Sequence, residues 1–324
     1  MKISIAMATY NGSKYLQEQL DSFTKQRLLP DEVVVCDDAS SDDTVKILYN
    51  FQRTAPFPIR IFINRITLGY SQNFSRVLSL CAGDLICLSD QDDVWFENKI
   101  FTIAKMADKM NEIQVFMNDA ELTLADLTPT GLTKIGQMKA VGISNDYFVM
   151  GSCISIRKNF LQYLLPIPLG FPSHDDWLIL FSAGLNRRKI IYEPLQYYRR
   201  HNNNCSQIIT NQINKLCKVD KYLYSLKRFP TLNAIEDIQS SLIQLTISVK
   251  HAENWAEKNK DPSLEIYLKR LMMSLRIKKM AYIARLNIIK KPRIFRIFYG
   301  IHLLKNGYYK EFHGLTTLVR DLIS

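Results

Sequence analysis

The sequence predicts an α/β protein: a mostly parallel central sheet with helices on both faces, followed by a basic α-helical C-terminal region. Three observations predict it. Short apolar runs alternate with amphipathic stretches through the first 120 residues, those runs are almost continuously apolar, and the excess positive charge lies only in the last third. Parallel strands are covered on both faces and so lose the in–out alternation of half-exposed strands, and the crossover between them is usually a helix. With 324 residues and 47% hydrophobic content, the chain can bury one domain with an appendage, or two domains.

Each element can be justified in turn. Residues 3–8 read as a first strand, opening at the N-terminus without signal-peptide architecture. A helix over 14–26 follows, with Leu16, Leu20 and Phe23 at helical spacing. Pro30 breaks the chain before 32–36, where Val33, Val34 and Val35 mark a second buried strand. Asp42 can cap a helix through Phe51, and the Pro56/Pro58 turn ends it. Residues 59–63 form a third strand, 70–80 a helix, 85–88 a fourth strand, 97–110 a helix and 115–117 a further strand. From 123 to 172 glycines and polar stretches read as loops and short strands. Residues 225–250 and 265–290 read as helices, and Pro292 starts a further basic and apolar segment over 294–304.

The charge divides the chain. Residues 206–324 hold 21 Lys and Arg against 9 Asp and Glu, whereas the first 205 hold 21 against 22. Within 266–310 there are 12 basic residues and no acidic one. The expected organisation is therefore an α/β domain over 1–205 and a basic helical region over 206–324. Basic residues there interleave with Ile277, Tyr282, Ile283, Phe295 and Phe298, a pattern that suits an anionic membrane surface. Alternatively the apolar face packs on the first domain and the basic face is only solvated. No apolar run reaches the length of a membrane span. The cysteines, Cys36, Cys81, Cys87, Cys153, Cys205 and Cys217, show no metal-ligand spacing and suit a reducing compartment. A cytoplasmic protein, peripheral on the inner face of the membrane, is the expectation.

Four clusters carry candidate chemistry. Ala8-Thr9-Tyr10-Asn11 follows strand one, and alone is a strand-to-helix loop. Asp37-Asp38-Ala39-Ser40-Ser41-Asp42-Asp43-Thr44 follows strand two; a helix cap needs one Asp or Ser acceptor, and this loop offers six. Ser89-Asp90-Gln91-Asp92-Asp93-Val94-Trp95 follows strand four and sets three carboxylates in four positions. Crowded carboxylates resist joint ionisation, and a hard divalent cation, Mn²⁺ or Mg²⁺, would relieve them and recruit phosphates. A solvated turn capping the next helix accounts for them equally well. His174-Asp175-Asp176-Trp177 reads either as a polar helix start or as a functional acid cluster, and Tyr197-Tyr198-Arg199-Arg200-His201 follows it. In a parallel α/β sheet the first three loops share the carboxyl edge, where ligands bind.

In this order the clusters resemble the family 2 glycosyltransferases with the GT-A fold, over roughly residues 1–205. The opening through Asn11 and the run from Val33 to Thr44 match the family's nucleotide-binding start, and Asp90-Gln91-Asp92 stands at its DxD element. His174-Asp175-Asp176-Trp177 matches the acceptor-site acid, usually preceded by Glu and here by His. The forms Ser-Asp-Gln-Asp-Asp-Val-Trp and Tyr-Arg-Arg-His resemble the rhamnosyltransferase-type branch of bacterial surface-polysaccharide synthesis (O-antigen, capsule or exopolysaccharide). The resemblance implies an inverting, metal-dependent transfer from a UDP- or dTDP-linked sugar to a saccharide or lipid-linked acceptor. It implies that Asp38 reads the base imide, Tyr10 packs on the base with Thr9 and Asp37 nearby, and Asp90 meets the ribose or a metal-bound water. Asp92 binds Mn²⁺ or Mg²⁺ with Asp93 in support, and His201 completes the metal shell or, with Arg199 or Arg200, meets the diphosphate. Asp175 is the implied base, with His174 and Asp176 beside it, and Gly151-Ser152-Cys153 lines the sugar pocket. The family's Gln/Arg-rich motif with a final Trp is absent, which favours single addition. Two other readings fit less of the chain. A nucleotidyltransferase lacks its glycine-rich basic loop after strand one, and a nucleic-acid-binding protein lacks any RNP, KH or helix-turn-helix signature.

Overall fold

The computed structural model describes every residue except 202, 203, 205–207, 222, 224–233, 260, 261, 313, 314 and 324. Cys205 and the start of the helix expected over 225–250 fall outside the described residues. The chain forms two compact units, Met1–Lys221 and Tyr222–Ser324.

The first unit opens as expected: β1 (Ile3–Thr9), α1 (Leu16–Thr24), β2 (Glu32–Asp37), α2 (Thr44–Gln52), β3 (Ile59–Ile63), α3 (Tyr70–Leu80) and β4 (Leu85–Ser89). After them come β5 (Val94–Trp95), α4 (Lys99–Lys109), β6 (Val115–Thr123), β7 (Pro129–Thr133), α5 (Lys134–Ala140), β8 (Ile154–Arg157), α6 (Lys158–Leu161), α7 (His174–Gly184) and β9 (Arg188–Arg199). The sheet order is β3-β2-β1-β4-β8-β6-β9-β5, with β7 beside β6. β3, β2, β1 and β4 are mutually parallel, and β6 runs parallel to β9. β8 enters antiparallel between β4 and β6, and β5 pairs antiparallel with β9. The sheet is thus parallel over the half formed by β3, β2, β1 and β4 and mixed beyond, where the short strands β7 and β8 come from the stretch with the weakest periodic signal.

Packing explains the helices. Leu16, Leu20 and Phe23 of α1 are buried against Ile5, Met7, Val33 and Val35 of the sheet. Burying each such side chain contributes about 1.5–3 kcal/mol. Residues beyond 205 also belong to this unit: the buried Lys134 of α5 donates to Thr210 Oγ1 (2.6 Å) and to Asn211, and Gln137 Nε2 to the carbonyls of Gln212 and Asn214. Burial, with Arg200 nearby, pulls the Lys134 ammonium down to about 7. Cys36, Cys81, Cys87 and Cys153 are buried thiols.

The second unit contains α8 (Ala234–Lys258), α9 (Pro262–Ile289), α10 (Arg293–Lys305) and α11 (Leu315–Ile323). α8 and α9 bury Ile238 and Ile289 together, with Leu242 and Leu286 packed alongside. Asp321 of α11 takes a two-pronged ion pair from Arg285 of α9 (2.7 and 2.8 Å) and a hydrogen bond from the Tyr309 hydroxyl (2.9 Å). No helix among the described residues is long and apolar enough to cross a membrane.

Candidate active site

The carboxyl ends of β1, β2 and β4 converge, and polar side chains stitch their loops together. Asp37 accepts from the Thr9 hydroxyl (2.8 Å) and from Ser40. Asn11 N donates to Ser40 Oγ, Gly12 N to Thr44 Oγ1, and Ser13 N to Asp42 Oδ2. Asp42 also accepts from the Thr44 amide at the start of α2. Burial works against its ionisation, yet the hydrogen bonds from Thr44 and Ser13 hold the carboxyl down at about 2. The surplus of acceptors after strand two therefore joins two loops as well as starting a helix.

Tyr10 is exposed at this edge. Asp38 is not. Its carboxylate is buried and accepts from Asn64 Nδ2 (2.6 Å), Leu68 N (2.8 Å) and Gly69 N (2.9 Å), so it fixes the loop between β3 and α3. An imide N–H would have to reach a carboxylate already taking three protein donors.

The run after β4 spreads its side chains over separate tasks. Gln91 forms a two-way amide clamp on Tyr10: its Oε1 accepts from the Tyr10 N–H (2.9 Å) and its Nε2 donates to the Tyr10 carbonyl (3.0 Å). A Cβ at Gly12 would lie 2.2 Å from Gln91 Oε1, so a side chain there would displace the clamping amide. Asp92 Oδ2 faces His201 Nε2 at 2.8 Å, and Asn204 Nδ2 approaches both, at 3.3 and 3.1 Å. Asp93 is wholly buried and accepts from Gln196 Nε2 (2.7 Å) and from the Arg199 N–H (3.3 Å). Trp95 is also buried, edge-on to Phe23.

Behind Asp93 lies a polar network that sequence reasoning missed. Lys99, on α4, is fully buried; its Nζ donates to the Ser152 carbonyl (2.9 Å) and to Gln196 Oε1 (2.5 Å), and sits 3.9 Å from the Trp95 ring centre. Because Lys99 takes Gln196 Oε1, the amide nitrogen of Gln196 must point the other way, to Asp93 and to Ser152 Oγ (2.9 Å). Burial lowers the Lys99 ammonium to about 8. Burial also raises the carboxyls of Asp90, to about 7, and Asp93; Asp92 adds to both, and Asp175 adds to Asp90. These are the crowded carboxylates that resist joint ionisation.

Asp175 lies in the first turn of α7, where Ser173 caps the helix and donates its hydroxyl to the carboxylate. Asp176 beside it is exposed. His174 stacks on Phe74 (centroids 3.9 Å apart), and burial pulls its imidazole toward the neutral form. Neither of its ring nitrogens meets a hydrogen-bond partner among the described residues. A Cβ at Gly151 would lie 2.7 Å from His174 Nε2 and 3.8 Å from the Asp175 Cβ, so the 151–153 turn backs directly onto the acid cluster.

The two arginines part company. Arg199 is interior: Nε donates to the Asp92 carbonyl (2.8 Å), Nη1 to the Ala125 carbonyl (2.7 Å) and Nη2 to Glu18, with Tyr15 under the guanidinium. It holds the backbone of Asp92 and faces no open surface. Arg200 is only partly buried and donates to the Tyr198 hydroxyl (3.1 Å).

A divalent cation fits the Asp92–His201 pair chemically. A carboxylate oxygen and an imidazole nitrogen face each other at 2.8 Å, and both are donor types that a divalent cation accepts. Among the described residues no third His, Cys, Asp or Glu closes a cluster around them. Asp92 and His201 would be the two protein ligands, and the remaining positions would be open to oxygen ligands, as is usual for Mg²⁺.

Comparison with known proteins places this geometry. The Glycosyl transferase family 2 model matches residues 4–163. The dTDP-rhamnosyl transferase RfbG of Shigella flexneri is 39% identical over 210 residues, which are 61% of this chain and 72% of that protein. An uncharacterized protein of Mycobacterium tuberculosis is 32% identical over 211 residues, and the chain spans only 59% of its length. The S. aureus TarS 1–349 structure in complex with UDP-GlcNAc superposes with a TM-score of 0.56 at 16% identity, over 99% of this chain and 89% of that one. That likeness establishes the fold.

Proposed function

The chain belongs to the family 2 glycosyltransferases, and we propose that it is an inverting, metal-dependent enzyme using a UDP- or dTDP-linked sugar in surface-polysaccharide synthesis. The identity with a dTDP-rhamnosyl transferase favours a dTDP-linked deoxyhexose as donor. The observation that carries the reading is the meeting of Asp92 and His201 at 2.8 Å on the carboxyl edge of the sheet, with Asp90 in electrostatic reach of Asp175.

In this reading the nucleotide lies along the loops after β1 and β2, with Tyr10 against the base and Thr9 and Asp37 fixing the strand end beneath it. Asp90 meets the ribose side. A Mn²⁺ or Mg²⁺ held by Asp92 and His201 supplies neutralisation of the departing diphosphate. Asp93, gripped by Gln196, keeps the Asp92 backbone in place. Asp175 accepts the proton of the acceptor hydroxyl, whose oxygen attacks the anomeric carbon as the nucleoside diphosphate leaves from the opposite face. The acceptor is a saccharide or a lipid-linked sugar, and one sugar is added per encounter. The basic second unit suits an anionic membrane surface, which makes the enzyme peripheral on the inner face of the membrane.

The test is a screen of nucleotide sugars for thermal stabilisation and hydrolysis, with Mn²⁺, Mg²⁺ or a chelator. A dTDP- or UDP-sugar is expected to be turned over only with metal, and Asp175→Asn to keep donor binding while losing transfer. Turnover unaffected by chelator removes the metal role, and wild-type transfer by Asp175→Asn removes the base.

A further inference from the structure

α10 is built inside out. A helix packed on a domain turns its apolar stripe inward and its charges to water. Here the inward face carries Arg296 and Gly300: Arg296 Nε donates to the Lys291 carbonyl (2.8 Å), and a Cβ at Gly300 would lie 2.6 Å from Leu318 Cδ1 of α11. The outward face carries Ile294, Ile297, Phe298 and Ile301, with Phe295 at its margin; Ile294 is 72% and Phe298 73% exposed. Residues 294, 298 and 301 fall on one line of the helix surface, and Lys305 continues it. Lys290, Lys291 and Arg293 flank the N-terminal end of this line. A contiguous apolar face of this kind on a soluble surface marks a binding site.

We propose that the outward face of α10 inserts into the headgroup region of an anionic lipid bilayer. The proposal rests on reading the second unit as membrane-facing and narrows that reading to one helix. Charge selects the occupant. Within 266–310 there are 12 basic residues and no acidic one, so a second copy of this face would set cations against cations. An anionic leaflet accepts the cations and the apolar side chains together. At 13 residues the helix is about 20 Å long, too short to cross the hydrocarbon core and long enough to lie in its surface. Arg296 stays on the protein side, and the helix thereby keeps its anchor to α11 when the opposite face is immersed.

The experiment uses the full chain with vesicles of phosphatidylcholine alone or mixed with phosphatidylglycerol. Wild type is expected to bind the mixed vesicles, and Ile294→Asp with Phe298→Asp to weaken that binding about tenfold or more, with an unchanged melting curve. A separate Phe298→Trp variant is expected to show emission quenched by brominated lipid. Lack of wild-type binding to mixed vesicles, equal binding by the double variant, or an unquenched tryptophan would each overturn the proposal. So would a wild-type dimer that the double variant abolishes. Donor hydrolysis in solution is measured in parallel. Its loss in the wild type with vesicle binding intact refutes the transferase reading and leaves the docking face standing.

Discussion

Lys99 offers a quantitative test, because its ammonium is buried beside a carboxylate that it touches only through Gln196. Lys99→Met keeps the chain length and removes the charge. At pH 7 the substitution takes away two hydrogen bonds made by a charged donor, about 1.5–3 kcal/mol each. It also removes the penalty of keeping a proton in a dry site. The fall of the ammonium from 10.5 to about 8 sets that penalty at about 3 kcal/mol. The net loss at pH 7 is therefore only about 0–3 kcal/mol, and pH separates the two contributions. The folded-state value is depressed, so between pH 8 and 10.5 the unfolded chain binds a proton that the folded chain does not. Wild-type stability then rises with pH across that window, by up to about 1.4 kcal/mol per pH unit, whereas a methionine contributes no such slope. Urea unfolding of both proteins at pH 7, 8, 9 and 10, followed by tryptophan emission, reads the gap between them. It should widen by about 3 kcal/mol in all. A gap that stays flat or narrows above pH 8 would refute the desolvated ammonium.

Four further variants carry expected outcomes. Asn204→Ala, which removes the amide touching both Asp92 and His201, should raise the Mn²⁺ needed for half-maximal turnover by about tenfold to a hundredfold, and Asp92→Asn should abolish metal-dependent turnover, both read from metal titrations of initial rates. Gln91→Ala should cost about 1–3 kcal/mol in urea unfolding through the two lost bonds to Tyr10, and should raise donor KM more than it lowers kcat. Asp321→Ala leaves Arg285 buried without its partner and should cost the second unit about 3–5 kcal/mol in thermal unfolding.

Much of this was legible in the chain, for identifiable reasons. Val33 to Val35 and Leu85 to Leu88 lie in strands covered on both faces, so composition alone marks them. β5 has two residues and β8 four, too short for any period to register, and Pro194 interrupts the pattern of β9. Asp92 and His201 were paired by motif order, and the structure brings them together. Gln91 and Trp95 were visible in the motif without a role; the amide clamp on Tyr10 and the packing against Phe23 supply one. Lys99 and Gln196 gave no signal, because a lysine at a helix start and a glutamine in a strand ordinarily face water. Their burial is decided by partners 97 residues apart. Arg199 and Arg200 are neighbours of one type, yet only the fold shows which is interior.

The clamp of Gln91 on Tyr10 also bears on how a ligand would arrive. The loops after β1 and β4 are tied at the sheet edge by two hydrogen bonds between the Gln91 side-chain amide and the Tyr10 main chain, formed within the protein itself. The ordering entropy of the Tyr10 backbone is then settled during folding, and none of it is charged to the encounter. On the proposed reading a nucleotide docking against Tyr10 would meet a loop already ordered, and its capture should follow a single concentration-dependent phase without a slow loop-closing step.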